Sequence, residues 1–153
     1  MGERAEVEAA IARYLEIRRG ACAGERPWSD LAEVFTDDVV FVDAVWGRHE
    51  GRDRVITFLR DSMAGLEDWD FPHQWQMIDG DRVVLGFANR LPGRRPDGGH
   101  WDVDGVSVLD YAGDGRFSRE VDHFSESNLG AQIRASGWRP PPTMQAPPPD
   151  RVW

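Results

Sequence analysis

Apolar residues recur at helical spacing over the first twenty positions. Val7, Ala10, Ile11, Tyr14 and Ile17 fall on one stripe, with Arg18 on the same side and charges opposite, so Glu3 to about Gly20 is predicted to be an amphipathic helix. Gly20 to Pro27 reads as a loop. A short helix carrying Leu31, Val34 and Phe35 follows, with Ser29 or Asp30 as its cap. Next comes the most β-branched run of the chain, Phe35-Thr36-Asp37-Asp38-Val39-Val40-Phe41-Val42-Asp43-Ala44-Val45-Trp46-Gly47. Strand alternation puts Val39, Phe41, Asp43 and Val45 on one face and Val40, Val42, Ala44 and Trp46 on the other, so both faces are expected to be covered. Gly47 to Gly51 reads as a turn, and Arg52 to Met63 as a helix with Val55, Ile56, Leu59 and Met63 on one side, ended by Gly65. From Asp70 the period drops to two. Phe71, His73, Trp75 and Met77 alternate with mostly polar residues up to the Asp79-Gly80-Asp81 turn. Arg82 to Leu91, His100 to Tyr111 and Arg116 to Ser125 are the remaining strands, separated by a Gly/Pro/Arg loop and by Ala112-Gly113-Asp114-Gly115.

This order is an α+β plan with three helices: a cone-shaped, curved antiparallel sheet wrapped around the long N-terminal helix. The open end of such a cone, between helix and sheet, is the natural ligand cavity. Asn128 to Ser136 has the pattern for one or two helical turns. Residues 138–153 hold six of the ten prolines in two Pro-Pro-Pro runs, which excludes regular helix and central strand. The expected organisation is one domain over 1–137 and an extended proline-rich arm over 138–153, lying on the same or a partner subunit with Trp153 as its anchor.

Charge and composition narrow the function. The net charge is −9, which argues against nucleic acid and anionic membrane as partners, since phosphate binding needs clustered basic residues. A single cysteine excludes an internal disulfide and a cysteine-based metal cluster. There is no long apolar run and no signal-peptide pattern, and the expected location is cytoplasmic. Seven Trp and seven Phe point to an aromatic-lined pocket. Within that picture Asp43 stands out, because a carboxylate on an apolar face is costly to bury ionised. Two readings stay open from position alone: a turn cap or arginine partner at the strand end, or a carboxylate facing the cavity. Tyr14 has the same ambiguity, a packed core tyrosine or a phenol aimed into the cavity.

Several strings resemble the nuclear-transport-factor-2-like superfamily, with its SnoaL-like polyketide cyclases and ketosteroid isomerases, over roughly residues 5 to 130. They are Ala-Arg-Tyr-Leu-Glu around Tyr14, Phe-Thr-Asp-Asp-Val-Val-Phe-Val-Asp at 35–43, Gly51 opening a helix, and Gly115-Arg116-Phe117 running on to Phe124-Ser125-Glu126-Ser127-Asn128-Leu129. The resemblance to ketosteroid isomerase implies a cofactor-free enzyme that moves a proton next to a carbonyl of a hydrophobic small molecule such as a steroid or polyketide. It implies Asp43 as the base, with Tyr14 and a protonated aspartate, at Asp104 by a gapless count from the Gly115-Arg116 turn, as donors to the developing oxyanion. Phe124 is the implied pocket aromatic. Phe41, Leu59, Trp75 and Trp101 are further candidates for substrate contact, with Phe35 and Leu59 standing where close members carry extra tyrosines. A homodimer through the outer sheet face is the superfamily's usual assembly.

Three other readings compete. His73 with Tyr14 and an aspartate is similar to the Tyr/His/Asp set of SnoaL-like dehydratases. An Asp-Arg-Asp relay, with Arg90 or Arg119, is similar to that of the epoxide hydrolases of the superfamily. A non-catalytic small-molecule-binding protein is the third. His100, Asp102 and His123 superficially match a two-histidine-one-carboxylate iron site, but short His-x-Asp strings are frequent by chance and no metal is expected.

Overall fold

The structure, a computed structural model, describes residues 2–153. Helix α1 spans Arg4–Cys22 and buries the predicted stripe, Tyr14 and Arg18 included. A 3-10 helix, Trp28–Val34, leads into β1, Phe35–Asp43. The predicted turn after it is in fact a second strand, β2, Gly47–Glu50, which pairs antiparallel with the end of β1. Helix α2 covers Arg52–Met63, and the strands β3 (His73–Asp79), β4 (Arg82–Arg90), β5 (Asp102–Gly113) and β6 (Arg116–Phe124) follow. Helix α3, Glu126–Ser136, is longer than the one or two turns expected, capped by the Ser125 hydroxyl accepting from the Asn128 N–H at 3.3 Å. Among the described residues there are thus three α-helices and one 3-10 helix.

The six strands form one sheet in the order β2-β1-β6-β5-β4-β3, antiparallel except for the β1–β6 pair. The sheet is not closed into a barrel. Its inner face and helices α1 and α2 enclose one core, centred on Ile11, Phe35, Leu85, Leu109 and Phe117. The outer face is half-covered: Trp75 and Met77 are exposed there, and Val40 and Val42 are only partly shielded. No helix among the described residues is long and apolar enough to cross a membrane.

Two details position the site. On β5 the alternation turns Val103, Gly105, Ser107, Leu109 and Tyr111 inward and Asp104 outward. On β6 the register slips: Asp110 pairs with Arg119 but Tyr111 pairs with Phe117, leaving Ser118 as the extra residue of a bulge. The bulge re-phases the strand, so Phe117 and Glu120 both point into the core although they are an odd number of residues apart.

The proline-rich arm lies on its own subunit. Trp138 stacks edge-on against Trp69 at 5.2 Å and donates its indole N–H to Asp68 at 3.1 Å. Met144 packs against Gly65, and the Val152 carbonyl accepts from the Arg48 N–H at 2.7 Å, extending the edge strand β2.

Gly105 has no room for a side chain, because a Cβ there would lie 2.7 Å from the Phe87 ring and 3.1 Å from the His123 carbonyl. Gly105→Ala is therefore expected to destabilise the protein by about 1–3 kcal/mol. Urea unfolding of wild type and variant measures the difference.

Candidate active site

Beneath α1 the inner sheet face leaves a cavity of about 90 Å³. Its walls are aromatic: Trp28, Phe41, Phe58, Phe71, Phe87 and Phe124. Its polar groups come from six elements: Tyr14 and Arg18 on α1, Asp43 on β1, Ser62 on α2, Asn89 on β4, Ser107 on β5, and Glu120 with Asp122 on β6.

The polar groups form a chain. The Tyr14 hydroxyl donates to Glu120 Oε1 at 2.8 Å. Glu120 is 1% exposed, and its Oε2 is buried with no hydrogen-bond partner. Burial, reinforced by the negative charge of Asp122, holds the Glu120 carboxyl well above the usual carboxylate range. Asp122 Oδ1 accepts from the Ser107 hydroxyl at 2.6 Å. Burial and then the Asp43 charge push Asp122 up to about 6, against the opposing effect of the Ser107 bond. Two carboxylates this close do not both ionise readily, so near neutral pH the pair retains a proton. Burial, with Glu120 beside it, likewise keeps the Tyr14 phenol protonated far above its ordinary value.

Asp43 plays both parts that its position allowed. Its Oδ1 accepts from the backbone N–H groups of Val45 and Trp46 at 2.8 and 2.7 Å, which caps the β1–β2 turn. Its Oδ2 makes no hydrogen bond, and the side chain lines the cavity. Burial raises the pKa of Asp43, and the two backbone bonds pull it back down.

The cavity therefore brings together Tyr14, Asp43, Phe41, Leu59 and Phe124 of the residues singled out in the sequence. It does not bring in the others. Asp104 is exposed on the outer sheet face, where Gln74 reaches it at 3.4 Å, and the carboxylate bonded to Tyr14 is Glu120 instead. His73 is exposed at the start of the edge strand β3, outside the cavity. Trp75 lies on the outer face across Gly86, and Trp101 sits under Arg95 at 5.6 Å beside the 92–99 loop. Neither candidate relay arginine is in the site: Arg90 makes a two-pronged ion pair with Asp102, and Arg119 is exposed on β6. Among the described residues no three His, Cys, Asp or Glu side chains are grouped as a metal site.

The residues missed are Arg18, Ser107, Glu120 and Asp122. Alternation on β5, taken with the polar run Asp102, Asp104 and Asp110, was a usable sign that Ser107 faces inward and Asp104 outward. Arg18 was visible as an arginine inside an apolar stripe. Glu120 and Asp122 were hidden by the bulge at Ser118, since plain alternation from Phe117 turns Arg119, Val121 and His123 inward in their place.

No curated protein sequence matches the chain. Solved structures share its fold. A protein assigned as a SnoaL-like polyketide cyclase from Jannaschia sp. CCS1 superposes with a TM-score of 0.67 at 19% identity, covering 88% of this chain and 99% of the other. A second such protein, from Shewanella putrefaciens CN-32, gives 0.63 at 17% identity over 84% and 86%. A steroid delta-isomerase from Pseudomonas aeruginosa gives 0.59 at 24% identity over 90% and 93%. At these identities the likeness is one of fold. The family itself comes from the sequence, because residues 11–120, well over half of the chain, match the SnoaL-like domain, and the chain belongs to that family.

Proposed function

We propose that the protein is a cofactor-free acid/base enzyme that moves a proton on a hydrophobic, carbonyl-bearing small molecule. The observation that carries this reading is the convergence of Asp43 and the Glu120–Asp122 pair on one aromatic cavity, with opposite tasks open to them. Asp43, with a free Oδ2, takes a proton from the carbon next to the carbonyl. The Glu120–Asp122 pair, steadied by Tyr14 and Ser107, holds the proton that stabilises the developing negative oxygen. The water-poor aromatic walls strengthen both effects.

The cavity is smaller than the ~300–1,000 Å³ of pockets that hold drug-sized ligands. Only the reacting end of a steroid or polyketide enters it in this reading. The remainder lies in two flanking clefts of about 360 and 440 Å³, which share Trp28, Leu59 and Met63, or Arg18 and Phe71, with the cavity wall. The Trp28–Phe71 ring pair, 5.6 Å apart and edge-on, stands between them. Dehydration or cyclisation driven by the same carboxylates is the second chemistry in this reading. It is favoured over a His73 mechanism by the acidity of the cavity and the exposure of His73. We also propose that the half-covered outer sheet face, with Trp75 and Met77 at its edge, is the homodimer surface. Met77→Glu is then expected to shift the particle mass towards the monomer in light scattering.

Proton abstraction is read as the rise of enone absorbance from a Δ5-3-ketosteroid, or as deuterium exchange next to the carbonyl of a smaller cyclic ketone. Asp43→Asn is expected to lower the rate by about 10²–10⁴-fold. Asp122→Ala, which removes a donor to the oxyanion, is expected to lower it by about 10²–10³-fold. An Asp43→Asn enzyme as fast as wild type ends the reading.

The pH profile follows from the same groups. Asp43 must be ionised, so the rate falls as pH drops through its raised pKa. Asp122 loses its proton first, so the rate also falls in part as pH rises through about 6, while the proton kept by Glu120 sustains the remaining activity above it. In Asp122→Asn the fall near pH 6 should disappear while the acid-side fall remains.

A further inference from the structure

Arg18 is 7% exposed, and it stands among the few buried polar residues together with Asn89, Ser107 and Glu120. Its guanidinium makes no hydrogen bond and no ion pair with any described residue. The guanidinium carbon lies 4.6 Å from the centre of the Phe87 ring, over its face. Such a group is unusual, because largely buried arginines are ordinarily paired, whereas the Arg18 donors open onto the cavity and the cleft with no acceptor supplied by the protein. A cation–π contact orients the fork without using any N–H.

Arg18 also stands at a junction. It lines the inner cavity and, on its other side, the 440 Å³ cleft formed by α1 and the 70–73 segment. The charged and polar groups facing that cleft are Arg18, Arg19, His73, Asp70 and the Cys22 thiol. Arg19 is held loosely by an exposed pair with Glu25 at 3.4 Å, and Asp70 already accepts the Phe71 N–H at 2.9 Å. In a chain of net charge −9, this cleft has more arginine than carboxylate. Leu15, Phe71 and Pro72 give it an apolar floor.

We propose that Arg18 is a substrate-anchoring residue, and that the molecule taken by this cavity carries a carboxylate that docks on the Arg18 fork in the cleft between α1 and Phe71–His73. The geometry suits a bidentate carboxylate better than a single-point anion, since a planar fork already oriented by Phe87 presents two parallel N–H groups. The carboxylate then lies on the cleft side of Arg18, and the carbonyl end of the same molecule points past it towards Tyr14, four residues earlier on the same helix. This assignment names the substrate class of the cavity, an apolar keto acid, and rests on the reading of that cavity as the active site.

The test is binding, which needs no turnover. The probes are 4-oxo-4-phenylbutanoate and its primary amide, titrated by calorimetry into wild type, Arg18→Met and Arg18→Lys. Wild type is expected to bind the acid at least about tenfold more tightly than the amide, equivalent to about 1.4 kcal/mol. Arg18→Met should erase that preference while leaving the amide within about twofold, and Arg18→Lys should keep only part of it. Should Arg18→Met fail to fold, the Arg18 side-chain N–H resonance of wild type decides, moving on addition of the acid and not of the amide. Equal binding of acid and amide by wild type, no binding of the acid, or a preference that survives in Arg18→Met overturns the proposal. A proton-transfer failure is separable, because it leaves this preference intact in Asp43→Asn, whereas failure of the anchor leaves the rate loss of Asp43→Asn intact.

Discussion

Glu120 sits fully buried beneath α1, bonded to the Tyr14 hydroxyl at 2.8 Å and set against Asp122. An ionised carboxylate in that place would forfeit its hydration with little in return, since Oε2 has no donor. The fold accommodates it by keeping the group protonated, and that choice determines its surroundings. Tyr14 must be a tyrosine and must lie on the buried stripe of α1. Asp122 must share the charge, which is why the two titrate together. The helix is thereby tied to the last strand across a sequence separation of 106 residues, in addition to the apolar packing of Ile11 and Phe117.

Most of the fold was legible in the sequence because its signals are periodic. The α1 stripe, the Asp79-Gly80-Asp81 and Ala112–Gly115 turns, and the β-branched run at 35–43 each exclude the competing element by spacing alone. What could not be read were departures from period. β2 is four residues of Gly-Arg-His-Glu, with no apolar alternation to mark it as a strand. The bulge at Ser118 carries no sequence signature, yet it decides which half of β6 meets the cavity.

The site was legible to the same degree and for the same reason. Asp43 and Tyr14 were found because each is a polar residue where the periodicity demands an apolar one. Asp104 was misplaced because a gapless count across the Gly115 turn ignores the strand's own alternation, which groups it with Asp102 and Asp110 on the outside. Family resemblance pointed to a carboxyl group beside Tyr14, whereas which carboxylate is bonded to it depended on one extra residue in a strand.

The same burial that keeps Glu120 neutral gives Arg18 its importance. Between them, Asp43, Glu120 and Asp122 could place three negative charges in a cavity too small to hydrate them. Retention of a proton by the Glu120–Asp122 pair removes one, and the Arg18 cation opposes, to a lesser extent than burial acts, the rise in pKa of both members of the pair. Arg18 does this at a distance, without closing an ion pair to either. A direct pair would ionise Glu120 fully and remove the stored proton, and it would consume the N–H fork. Held instead on the Phe87 ring, the guanidinium tunes the acids through space and keeps its donors unused. Phe87 can lie there only because Gly105 opposite it has no side chain. A glycine on β5, an aromatic ring on β4 and an arginine on α1 thus form one stack beside the carboxylates of β6.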